Sequence, residues 1–106
     1  MAYKLRFSSS AEEAVHKLAA GGQATARKLK KVRKALALLQ VDPMYPGLHS
    51  HLYQNFPGLE KQKVWDSYVE NHTPGAWWIF WMYGPNEVRD GVEISVVTVL
   101  AIGPHL

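Results

Sequence analysis

The chain has 106 residues, 47% hydrophobic and 20% charged, with no cysteine and a formal net charge of +3. That length suits a single domain, expected here over residues 1–106, whose core needs no disulfide or metal staple. Zero cysteines exclude a disulfide framework, a thiolate zinc site and a cysteine nucleophile, and four Trp, five Tyr and three Phe exclude a solvated, disordered chain.

No run approaches the roughly 18–20 apolar residues that cross a bilayer. Met1–Phe7 carries Lys4 and Arg6 with no apolar run after it, so neither a membrane span nor an export signal is expected and the cytoplasm is the expected location. The small net charge hides an asymmetry. Residues 1–40 hold nine basic residues against two acids, net +7, while residues 41–106 hold three against seven, net −4. Such a division points to a polyanion or an acidic partner for the first part.

Tyr3-Lys4-Leu5-Arg6-Phe7 alternates apolar and basic residues, the period of a half-buried strand. Ser9-x-x-Glu12 and Ser10-x-x-Glu13 both fit a capping box, which predicts a helix from about Ala11 to Ala20 that ends at Gly21-Gly22. Across Gln23–Gln40, Leu29, Val32, Leu36 and Leu39 form one helical stripe, and Asp42-Pro43 stops the helix. Asp42–Glu60 reads as a long loop carrying Pro43, Pro46, Gly47, Pro57 and Gly58. Strands follow at Lys63–Asn71, Ala76–Tyr83 and Val92–Ile102, separated by turns at His72–Gly75 and Gly84–Gly91. The expected fold is therefore α+β with the order β-α-α-β-β-β, a helical hairpin packed on a mainly antiparallel four-stranded sheet. The hairpin would be the crossover if the first strand pairs in parallel.

This order, together with Asn71-His72-Thr73-Pro74-Gly75-Ala76-Trp77-Trp78-Ile79-Phe80-Trp81 and the ending Val99-Leu100-Ala101-Ile102-Gly103-Pro104-His105, resembles the RelE/ParE superfamily of toxins from type II toxin–antitoxin systems. The resemblance spans nearly the whole chain on short, hydrophobic motifs. It implies a toxin held by a cognate antitoxin, and in the ribosome-dependent members an endoribonuclease that cuts mRNA and halts translation. The ribosome and mRNA are then further partners, no cofactor is implied, and a homodimer is one arrangement open to the fold. Two alternatives stand beside it: a non-catalytic protein-binding module on the same fold, and a ParE-like inhibitor of DNA gyrase. The chain departs from the ribonuclease pattern where it matters chemically. The principal third-strand arginine falls near Trp78, whose indole has no forked cationic donors to stabilise a transferring phosphate, and strand two offers Asp66 and Glu70.

Carried over on that resemblance, the candidates for RNA contact or proton transfer are Lys61, Lys63, His72 and His105. Arg27, Lys28, Lys30, Lys31, Arg33 and Lys34 make a basic helix face for nucleic acid or an acidic protein, with a merely solvated face as the plain alternative. Trp78 is the candidate for an exposed aromatic contact. His49-x-His51 puts two imidazoles on one extended segment, but with no third ligand at fixed spacing no metal site is expected. Glu70, His72 and His105 would make an acid–base group only if the fold brought them together.

Overall fold

The fold is taken from a computed structural model that describes residues 2–71 and 74–105. β1 (Lys4–Phe7) leads into α1 (Ser9–Ala20), a 3₁₀ turn (Gly22–Ala24) and α2 (Ala26–Val41). A second 3₁₀ turn (Pro46–Leu48) and β2 (His51–Tyr53) precede β3 (Val64–Tyr68) and β4 (Trp77–Tyr83). A small hairpin of β5 (Glu87–Arg89) and β6 (Val92–Ile94) then leads to β7 (Val96–Pro104). The architecture is α+β, with two helices, a mixed five-stranded sheet in the order β1-β7-β4-β3-β2 and a separate two-stranded ribbon. β1 runs parallel to β7 across the helical hairpin, and the other pairs in the main sheet are antiparallel.

Three features differ from the sequence expectation. The sheet has five strands because residues 51–53, inside the Pro/Gly-rich stretch, pair with β3 as an edge strand. The turn at 84–91 holds β5, and the apolar run after it is two strands. Asp90 and Gly91, at φ 52° and 76°, make the tight reversal between β5 and β6, the left-handed geometry that an Asp-Gly pair adopts readily. The cap of α1 is Ser8, one residue before the capping boxes, whose Oγ accepts from Ala11 N at 3.0 Å. That choice is tertiary. Ser8 Oγ also donates to Leu100 O at 2.7 Å, and Leu100 is the extra residue of a bulge, since Phe80 pairs with Ala101 and Trp81 with Val99. One serine thus joins helix start and bulge.

The main core lies between the helices and one sheet face. Ala11, Leu18, Val32, Ala35, Leu36 and Leu39 meet Ile79, Trp81, Val97, Val99 and Ile102, with Trp65 and Trp77 packed against them. The expected α2 stripe is in this contact, Leu29 partly buried at its rim. Trp81 is fully buried and still bonded: its indole N–H donates to Ser67 Oγ at 2.7 Å. The two hydroxyls of Ser50 and Ser67 lie 2.6 Å apart, and Ser50 Oγ donates to Pro43 O at 2.7 Å, which leaves Ser67 to donate to Ser50. No polar atom of that chain lacks a partner, as a buried network requires.

Alternation along β2, β3 and β4 sends the other residues to the second face: His51, Tyr53, Asp66, Tyr68, Trp78 and Phe80. No helix covers it. The segment 54–63 folds back so that Phe56 lies 5.8 Å, ring to ring, from Phe80, which Tyr53 and His105 also cover and which is buried. Among the described residues no helix is long and apolar enough to cross a membrane.

Candidate functional site

Asp66 occupies the middle of β3, on the second face, and its side chain is fully buried. A carboxylate there would be strongly penalised without partners. Two imidazoles supply them. His51 is directly opposite Asp66 in the β2–β3 register, and its Nε2 lies 2.8 Å from Asp66 Oδ1. His105, just past the end of β7, brings its Nε2 to 2.7 Å from Asp66 Oδ2. The two contacts are not equivalent. His105 makes an aligned hydrogen bond, whereas the His51 contact lacks hydrogen-bond alignment, so Oδ1 receives no hydrogen bond.

Each ring is further held. His51 Nδ1 lies 3.0 Å from the carbonyl oxygen of His49, which can only accept, so His51 donates there. The His105 ring sits among aromatics, 4.7 Å from Trp78, 5.2 Å from Tyr53 and 5.5 Å from Phe80, centroid to centroid. His105 Nε2–H donates to Asp66 in the neutral tautomer, which leaves Nδ1 with its lone pair. Tyr68 continues the row of rings from Trp78 to His49, edge to face with Trp78 at 5.8 Å and 4.9 Å from His49. The side chains of His51 and His105 are 56% and 37% exposed, so a solute can reach both while the carboxylate between them stays dry.

Just past β3 a second carboxylate has different partners. Glu70 Oε1 accepts from Lys28 Nζ and, at 3.2 Å, from Trp77 N, while Oε2 faces Lys31 Nζ at 3.4 Å. Lys28 also donates to Gly75 O at 3.0 Å, with its ammonium 5.1 Å from the centre of the Trp77 ring. Burial by itself would raise the Glu70 carboxyl. The hydrogen bond and charge of Lys28, helped by Lys31 and the Trp77 N–H, outweigh it and hold the group below the usual carboxylate range.

The sequence candidates therefore separate. His105 is at the cluster and Trp78 beside it. His72 lies outside the described residues. Lys61 and Lys63 are exposed on the segment before β3 and make no hydrogen bond or ion pair among the described residues, so the structure does not join them to His105. On α2, Lys28 and Lys31 are engaged with Glu70, and Arg27, Lys30, Arg33 and Lys34 remain exposed without a carboxylate partner among the described residues. Lys4 and Arg6 are likewise neutralised, both by Glu87, at 3.0 and 3.2 Å. Glu70 does not join His105, whose carboxylate is Asp66. His49 and His51 point to different partners, and no group of three or more His, Asp or Glu among the described residues is arranged to hold a metal.

Asp66 and His51 are the residues whose roles sequence reasoning did not place. Asp66 gave one signal, an acid in the middle of a strand-forming run. His51 stood out only as half of a His-x-His pair, because its partnership with Asp66 depends on β2 pairing with β3. No protein-family model, curated protein or solved structure matches the chain.

Proposed function

We propose that this chain is a RelE/ParE-like toxin of a type II toxin–antitoxin pair, and that it halts translation by cutting mRNA on the open sheet face. One observation carries the reading: a buried carboxylate orients two solvent-reachable imidazoles on a face walled with aromatic rings. Imidazole is the side chain best matched to proton transfer near neutrality, and cutting RNA at a 2′-hydroxyl needs one proton removed and one supplied. The rings offer π-faces to unpaired bases. The parallel β1–β7 pair spanned by the helical hairpin, followed by the antiparallel β7-β4-β3 order, supports the finer fold assignment.

The missing strand-three arginine is thereby given a different meaning. This face replaces a fixed cation with imidazoles, and the unpaired cations of α2, Arg27, Lys30, Arg33 and Lys34, suit phosphates or an acidic antitoxin segment.

The test is controlled expression with and without the small protein encoded beside it, following amino-acid incorporation and plasmid supercoiling together. Wild type stops incorporation within minutes, co-expression of the neighbour restores it, and His105→Ala abolishes the effect. Arrest that persists in His105→Ala with altered supercoiling would replace this reading with gyrase inhibition. Normal growth of cells rich in soluble wild-type protein would favour the non-catalytic module.

A further inference from the structure

We infer that the chain carries both proton-transfer groups within itself and therefore cuts unpaired RNA directly, with no ribosome needed to complete the site; this rests on the RNA-cutting reading above. The nucleophile is the substrate's own 2′-hydroxyl. With Nε2–H committed to Asp66 Oδ2, His105 presents Nδ1 as the lone pair that removes the hydroxyl proton. Asp66 touches no reacting atom and is a positioning residue, fixing ring and tautomer. The 2′-oxygen then attacks phosphorus, the bond from phosphorus to the 5′-oxygen breaks, and the leaving 5′-oxygen takes a proton.

His51 supplies that proton. In its charged form both ring nitrogens carry hydrogen. The Nδ1 proton is committed to the His49 carbonyl, but the Nε2 proton makes no aligned bond to Oδ1, which leaves it available to an incoming oxygen. The two imidazoles meet opposite oxygens of one carboxylate, which holds the proton-taking and the proton-giving ring on the same part of the open face. Atoms balance without a co-reactant: the products are a 2′,3′-cyclic phosphate and a 5′-hydroxyl, with one proton moved onto His105 and one off His51.

The surrounding rings define the substrate class. The row Trp78, Tyr68 and His49 on the exposed face binds bases by stacking, which a duplex denies because its base faces are already covered. The substrate is single-stranded RNA.

The experiment uses the purified full chain, without ribosomes, and one 5′-labelled RNA oligomer presented single-stranded, annealed to its complement, or with 2′-deoxyribose throughout. A parallel reaction supplies ribosomes programmed with an mRNA. Cleavage of the free strand to cyclic-phosphate ends, at least tenfold slower on the duplex and absent from the deoxy strand, is the expected result. His105→Ala lowers the rate by about 10²–10⁴-fold in protein that still unfolds in one cooperative transition. Asp66→Asn, whose amide can donate to Nε2 and so reverse the tautomer, lowers kcat and leaves KM unchanged. If the ribosomal mRNA is cut while the free strand stays intact, this inference is overturned and the proposed function stands; if neither is cut, both fall. A change in KM and melting temperature without a loss of kcat in Asp66→Asn would make Asp66 structural.

Discussion

Asp66 and Glu70 sit four residues apart at the centre and just past the end of one strand, and the groups that meet them differ in kind. Glu70 is met by ammonium groups from α2 and by the backbone N–H of Trp77, whose indole face also receives Lys28. Lysine stays charged across the physiological range, so this contact is a permanent tie between α2, Gly75 and the start of β4. Among the described residues, the side chains that meet Asp66 are imidazoles, the groups suited to proton exchange near neutrality. Both carboxylates are shielded, yet one fastens the fold and the other positions groups able to react. A buried acid is thus not a functional signal by itself; the chemistry of its partners decides.

The sharpest way to break that contrast is to remove one group from each end. His105→Ala should lower RNA cleavage by about 10²–10⁴-fold and also lower the stability read from a urea titration by roughly 1–3 kcal/mol, because buried Asp66 loses its aligned hydrogen bond. Lys28→Ala should touch stability alone: cleavage stays within about threefold, and stability drops by roughly 1–2 kcal/mol because Glu70 is deprived of its principal partner, read from the same titration.

The two ends should also separate in acid. Glu70 is held below its ordinary value of 4.5, so its stabilisation is fully present above that value and is lost as pH falls through the lower, folded one. Comparing wild type with Glu70→Gln by thermal melting should therefore show a gap of several degrees at neutral pH that closes as pH falls below 4.5 and through the lower, folded value. A gap independent of pH would mean that the lysines contribute nothing through charge. The smallest stability effect belongs to the exposed cations. Combined Arg27→Gln, Lys30→Gln and Lys34→Gln should change stability by less than about 0.5 kcal/mol. The same variant should flatten the salt dependence of RNA binding by about 0.7 in log–log slope for each phosphate that is no longer neutralised, measured by fluorescence anisotropy.

How much of this was legible depends on the range of the interaction. Helix periods are local, so the stripe of Leu29, Val32, Leu36 and Leu39 announced α2 and its buried side. The crossover followed from chain order and the handedness of such connections. β2 was not visible, because three residues among prolines and glycines carry no period, and its pairing with β3 is set by tertiary packing. The Asp90-Gly91 hairpin was visible in principle, but the polar turn masked β5, and β6 merged into the apolar run that follows. His105 was a candidate, but its carboxylate stands 39 positions away and lines up only when β7 and β3 flank β4. Lys28 shows the converse. By sequence it is one of six equivalent cations on α2, and only the position of Glu70 withdraws it from the surface.

The most direct test of the central claim, that the imidazoles on Asp66 are the reacting groups of an RNA-cutting toxin, is to map new RNA ends in cells minutes after induction. Wild type should generate new 5′-hydroxyl ends within messages as incorporation of amino acids stops, and His105→Ala, made at equal soluble level, should generate none and allow growth. Arrest by His105→Ala as complete as by wild type, or arrest by wild type with no new RNA ends, would contradict it.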